Sequence, residues 1–180
     1  GIDANGGWSP QVAIRTIRRL ADCDLLFAEQ PCPRADVAWL ADVRRNVPVP
    51  VMADESVFTL QDAMALVRAG AADILSVYVG KGGIGPARKI AAVAEAAGIA
   101  CTIGSNLEMG IATAAMIHLG IATPGVAAEA FPCDIIGPFY YDGHFLAEPV
   151  DVVGGIARPS QKPGLGVDLD DHAVERFRIR

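Results

Sequence analysis

Apolar residues in this chain come in two alternating textures. Short runs that are apolar at nearly every position, Leu25–Ala28, Val49–Ala53, Ile74–Gly80 and Ile99–Gly104, recur at intervals of 24 or 25 residues. Consecutive apolar positions are what strands covered on both faces require. The intervening segments carry helix punctuation instead. Ser9 followed by Pro10 supplies an N-cap and a first-turn proline for a helix running to about Ala21. Thr59 caps "LQDAMALVRAG", where Leu60, Ala63, Met64 and Val67 fall on one face and Gly70 stops the helix. Residues from about Pro86 to Ala97, closed by Gly98, and Gly110–Leu119 predict two more helices, and a further strand is expected near Asp134–Ile136. Strand and helix in alternation predict βαβ units around a parallel sheet. After about Phe145 the texture changes, with Pro149, Pro159, Pro163 and several glycines predicting an irregular arm.

Composition narrows the class. The chain has 180 residues, 52% of them apolar and 20% charged, which suits a well-buried globular fold. No apolar stretch approaches the ~20 residues needed to cross a bilayer, and no basic segment leads into an apolar one at the N-terminus, so the sequence reads as cytoplasmic. A net charge of −6 argues against a nucleic-acid surface, which needs clustered Lys and Arg. Arg15, Arg18 and Arg19 are spaced as the solvated face of a helix. Cys23, Cys32, Cys101 and Cys133 form no CxxC pair, which predicts buried free thiols rather than disulfides or a zinc site.

The acidic residues carry the candidate chemistry. Asp3, Glu29 and Asp54 are separated by 26 and then 25 residues, each at or just after the end of a strand candidate. Any one of them is explained as a helix N-cap or a solvated loop residue. Three in register, two of them embedded in "LLFAEQP" and "PVMADES", predict convergence at the C-terminal face of a parallel βα array, where barrel enzymes build their sites. Converging carboxylates repel, so a cation is expected among them, and an all-oxygen set suits Mg²⁺ or Mn²⁺. "KGGIG" lacks the order of a phosphate-binding loop, because its lysine precedes the glycines.

These residues resemble a known family. "DAN" at Asp3, "EQP" at Glu29, "MADES" at Asp54, the Lys-Gly-Gly turn at Lys81, "GSNLE" ending at Glu108, "GPFYYDGHFLAEP" and "KPGLGVDLD" are similar, in order and spacing, to the enolase superfamily. Within it they resemble the muconate-lactonizing branch of the mandelate racemase and muconate-lactonizing group. An Asp as the third ligand, in "ADES", favours that branch over mandelate racemase. The resemblance implies an incomplete TIM-type (β/α) barrel over residues 1–145, with residues 146–180 as an irregular docking arm. It implies Asp3, Glu29 and Asp54 as ligands of Mg²⁺, with Mn²⁺ an alternative. A small carboxylate substrate would lose the proton next to its carboxylate to a base while the metal stabilises the enediolate. Such a proton is too weakly acidic for a side-chain base unless the developing charge is neutralised. The full-length protein is expected to be a homo-oligomer. Asn5 is expected near the metal, and Glu108 on the seventh barrel strand facing substrate. Glu55 is expected to support the site from behind the metal ligands or as a helix cap.

The sequence departs from the family in two places. The branch places lysines on its second and sixth barrel strands, but Tyr78 occupies the inward position of the sixth. Strand alternation sets Ser76, Tyr78 and Gly80 on one face and Lys81 on the other, unless the "GKGG" turn redirects it. Lys81 and Tyr78 are therefore both candidates for acid–base work. A single surviving lysine base favours β-elimination or cycloisomerisation over racemisation, which needs a proton handler on each face. His118, in an apolar helical stretch, and His144, after an Asp-Gly turn signal, are expected in packing and loop roles. The second departure is length: a full barrel takes ~250 residues, and the capping domain and first strands have no counterpart here. The chain is expected to be the C-terminal part of a longer polypeptide, a truncated gene product, or one completed by another chain. The expected activity is that of a cycloisomerase, epimerase or dehydratase. Two other readings are a catalytically inactive barrel fragment with a structural or binding role, and a barrel lyase using the acids in another metal-assisted reaction such as aldol cleavage.

Overall fold

The computed structural model describes residues 1–179. Five strands, β1 (Ile2–Asp3), β2 (Ala28–Glu29), β3 (Val51–Ala53), β4 (Ile74–Val77) and β5 (Ala100–Ile103), pair in sequence order, every neighbour parallel. Helices α1 (Pro10–Arg19), α2 (Val37–Asn46), α3 (Leu60–Ala69), α4 (Ile84–Ala96) and α5 (Gly110–Ile121) form the outer layer, each packed on the next. This is an arc of a (β/α) barrel. The core lies between the layers, with Ile17, Leu40, Leu66, Leu75, Ile90 and Ile103 buried there.

Helix ends follow the predicted chemistry. Ser9 accepts from Val12 N–H, with Pro10 in the first turn. Thr59 and Asp62 form a reciprocal capping box, and Gly70 closes α3 in the left-handed conformation that glycine adopts without penalty. The buried side of α3 is Ala63 and Leu66, not Met64, which is exposed. Helix α2, capped by Asp36, is not among the helices that the sequence predicts.

Strand ladders are shorter than the apolar runs. The run expected to continue to Gly80 leaves the sheet after Val77 and turns into a 3₁₀ helix over Val79–Lys81. No strand forms at Asp134–Ile136. The chain instead runs beside β5 through a parallel bridge of Val126 to Cys101 and a bond from Asp134 N–H to Ile103 O. Pro132 between these contacts has no N–H to give a continuous ladder.

Residues 146–179 hold more regular structure than an irregular arm, while Arg180, the last residue of that predicted segment, lies outside the described residues. The segment contains a hairpin of β6 (Asp151–Val153) and β7 (Ile156–Arg158) and a helix, α6 (Asp171–Arg176), capped by Asp170. Leu146, fully buried, anchors it under α5, where Gly110 has no room for a side chain. His118 lies 3.3 Å from Leu165 O, a packing contact between α5 and this segment. The four cysteines are free thiols; Cys32 and Cys101 are buried, whereas Cys23 is exposed and Cys133 partly so. Arg15, Arg18 and Arg19 are exposed, as their spacing predicts. Among the described residues no helix is long and apolar enough to cross a membrane.

Candidate functional site

The three predicted acids stand at the same end of three adjacent strands. Asp3 and Glu29 close β1 and β2 and are register partners, and Asp54 follows directly after β3. Asn5 holds Asp3 twice, its backbone N–H donating to Oδ1 at 2.9 Å and its side-chain amide donating to Oδ2. This grip uses a left-handed Asn5, φ 44°, a conformation in which Asn is enriched.

Gln30 organises the next step of the arc, a role missed in the sequence. Fully buried and itself left-handed at φ 32°, it accepts at Oε1 from the N–H groups of Asp54 (3.0 Å) and Ser56 (3.1 Å). Its Nε2 donates to Cys32 O and Ser56 Oγ, both at 2.8 Å. One amide thus fixes the end of β3 against the end of β2. The available signal was a glutamine inside the apolar stretch "LLFAEQP", since a buried amide has to find partners for all its polar atoms.

Glu29 is the most perturbed acid of the group. Burial, and then the charges of Asp3, Asp54, Asp134 and Glu55, push its pKa from 4.5 to about 8. Desolvation likewise raises the pKa of Asp134, with Glu108, Asp3 and Asp54 adding to the effect. Asp134 was not among the predicted site residues because the sequence set it at the start of an expected strand, outside the register shared by Asp3, Glu29 and Asp54. Glu55, beside Asp54, is raised by desolvation, and its Oε2 is buried without a hydrogen-bond partner.

Lys81 does turn inward. The 3₁₀ turn overrides strand alternation and brings Nζ to within 2.5 Å of Asp54 Oδ1. Burial lowers the lysine pKa, and Asp54 opposes that shift. Tyr78, the last extended residue before the turn, is 2% exposed. Its ring lies against Gly80 and Gly104, and a Cβ on Gly104 would crowd both the ring and Ser76 Oγ. Burial, reinforced by Asp54, Glu108 and Glu55, raises the phenol pKa far above its ordinary value. At neutral pH Tyr78 is therefore a hydrogen-bonding hydroxyl and not a base.

Glu108 lies in the loop between β5 and α5, not on the strand. Leu107, left-handed at φ 63°, precedes it, and its Oε2 accepts from Ser105 Oγ (2.8 Å) and Asn106 N–H (2.9 Å). Its Oε1 is buried and unpartnered, close to Gly80. Asp3, Glu29, Ser76 and Asp134 border one cleft of about 360 Å³. Ser76 Oγ, fully buried, has no partner there.

Among the described residues no group of three His, Cys, Asp or Glu side chains is drawn together tightly enough to enclose a metal ion as it stands. The donor chemistry nevertheless fits a hard divalent cation. The three acids offer only carboxylate oxygens, and Glu29 holds its proton to about pH 8 because it is buried and then because Asp3, Asp54, Asp134 and Glu55 surround it. Lys81 provides one positive charge, bound to Asp54.

Comparison with known proteins bears on the family and the fold. The family model described as enolase C-terminal domain-like matches residues 1–173. The chain is 40% identical over 177 residues to muconate cycloisomerase 1 of Rhodococcus opacus, covering 98% of this chain and 47% of that protein. It is 33% identical to the L-Ala-D/L-Glu epimerase of Bacillus subtilis (strain 168), over 92% of this chain and 45% of the epimerase. The crystal structure of 2-chloromuconate cycloisomerase from Rhodococcus opacus 1CP superposes with a TM-score of 0.93 at 36% identity, covering 99% of this chain and 48% of that one. The chain spans about half the length of the curated relatives it matches. With sequence and fold in agreement, the chain belongs to the enolase C-terminal domain-like family of the enolase superfamily.

Proposed function

We propose that the protein to which this chain belongs is a Mg²⁺-dependent isomerase that removes the proton next to the carboxylate of a small acid, by one-base chemistry of the muconate cycloisomerase kind. Asp3, Glu29 and Asp54 would hold the cation, with Mn²⁺ as an alternative. The observation that carries the reading is the placement of Asp3, Glu29 and Asp54 at the same end of three adjacent parallel strands, with Glu29 pushed up to about 8 by burial first and then by its acidic neighbours. When bound, a divalent cation would stabilise negative charge developing on the substrate carboxylate. Asn5 would keep Asp3 oriented, and Gln30 would keep Asp54 in place. Ser76 Oγ and Glu108 Oε1, both buried and unpartnered, would offer polar contacts to substrate.

The one-base reading follows from the two acid–base candidates. Tyr78 is neutral at physiological pH, and the Lys81 ammonium is committed to Asp54. Neither is a ready proton acceptor on this side of the site, and epimerisation needs a proton handler on each face. Cycloisomerisation or dehydration needs one.

Incubating the full gene product in heavy water with Mg²⁺ and a panel of small carboxylates, a muconate-type diacid and dipeptides included, tests the reading. Deuterium should enter next to a carboxylate with configuration retained. Exchange with inversion in a dipeptide would overturn the one-base assignment, and no exchange in any compound would overturn enolisation.

A further inference from the structure

The Lys81 ammonium is fully engaged by its surroundings. It donates to Asp54 Oδ1 at 2.5 Å, to the Asp54 carbonyl at 2.7 Å and to the Ser76 carbonyl at 2.8 Å. Three N–H groups meet three acceptors, which only the protonated lysine can satisfy. The side chain is 2% exposed, and the rings of Tyr78 and Phe58 lie 4.6 and 5.3 Å from Nζ. Aromatic faces of this kind favour a cation and exclude water.

The acceptors come from neighbouring units of the arc. Ser76 is in β4, and Asp54 lies just beyond β3. The lysine therefore ties the mouths of two strands and grips Asp54 by both backbone and carboxylate. Only Oδ1 enters the ion pair, which leaves Oδ2 outside it.

We propose that Lys81 is a positioning residue for Asp54, a built-in counter-ion that engages one carboxylate oxygen and presents the other to a divalent cation. The proposal rests on reading Asp3, Glu29 and Asp54 as the metal ligands. A lysine that merely fills the place of a metal would be held by the carboxylates. Lys81 takes two of its three bonds from backbone carbonyls, which a cation arriving at Asp3 and Glu29 would leave in place.

Two measurements on the full gene product test this. The first is Mn²⁺ binding, followed through the resonance of the free ion. Removing the outer partner of a metal ligand typically weakens affinity about 10–100-fold. Lys81→Met should fall in that range, and Lys81→Arg, which keeps the charge, should recover part of the loss. Unchanged or tighter binding by Lys81→Met would overturn the proposal. The second needs no loss of the side chain: the amine signal of Lys81 in NMR spectra of the unmodified protein, assigned by its absence in Lys81→Arg. It should be slow to exchange without metal and remain so after Mg²⁺ is added. Loss of the signal into fast exchange on adding Mg²⁺ would mean that the metal displaces the lysine, and would overturn the proposal even if Lys81→Met does not fold. Failure of the metal reading is a separate result: the unmodified protein binds no Mn²⁺ while its Lys81 signal is slow, and the proposal falls with it.

Discussion

Gln30 spans the step from β2 to β3 with a single buried amide, and its contribution can be isolated. Gln30→Ala strands the N–H groups of Asp54 and Ser56, both of which donate to Oε1. A buried donor left without a partner costs about 1–3 kcal/mol. The variant should lose at least ~2 kcal/mol in urea unfolding, and it should bind Mn²⁺ more weakly because Asp54 is no longer fixed from its backbone. Full stability with native Mn²⁺ affinity would remove Gln30 from the site. The sequence exposed the acids but not this hub. Asp3, Glu29 and Asp54 recur once per βα unit, so their period is readable, whereas the role of Gln30 depends on a left-handed backbone that no local pattern announces. The inward turn of Lys81 was equally hidden, because alternation holds only as long as the strand does, and β4 ends four residues earlier at Val77.

Strands and helices were readable where capping or turn chemistry marked their ends, as at Ser9, Thr59 and Gly70. Helix α2 was not. "VAWLADV" is apolar on more than one side, and Trp39 is 43% exposed, so its periodicity does not single out a buried face. Once formed, α2 is stitched to the sheet at the end remote from the acids. Arg44 pairs with Asp73 Oδ1 through Nη2 at 2.7 Å and Nε at 2.8 Å, while Asp73 Oδ2 accepts from Val51 N–H at 2.9 Å. Asp73 precedes β4 and Val51 begins β3, so these contacts lie at the N-terminal strand ends, where barrel residues serve stability rather than chemistry. The ion pair is partly solvated and contributes little by itself. The larger effect of Asp73→Ala is the Val51 N–H left without its acceptor. A loss of about 1–3 kcal/mol in thermal or urea unfolding is expected, with Mn²⁺ affinity unchanged. A marked fall in affinity would mean that the two ends of the strands are coupled.

The molecule as a whole carries a folding penalty for burying Glu29 among its acids, and pH reports it. The folded-state pKa of Glu29 is raised, so the native state retains a proton that the unfolded chain gives up from about pH 4.5 upward. Stability therefore declines as pH climbs from about 4.5 and is fully reduced once it passes about 8. A tenfold difference in proton affinity between the folded and unfolded chain corresponds to about 1.4 kcal/mol. In chelator, the melting temperature should drop between pH 5 and pH 8, and Mg²⁺ should restore much of it at pH 8. A flat profile in chelator would contradict the penalty that burial and the neighbouring acids place on Glu29. Glu29→Gln tests the central claim most directly, because it removes the load and the ligand together. In Mn²⁺ titrations and melts at pH 8, the variant should be more stable than the unmodified protein without metal. It should also bind Mn²⁺ more weakly by over ~100-fold, beyond the usual loss for a residue that only supports a ligand. Unchanged Mn²⁺ affinity in Glu29→Gln would contradict the account, because the acids at the strand ends would then not be the metal site.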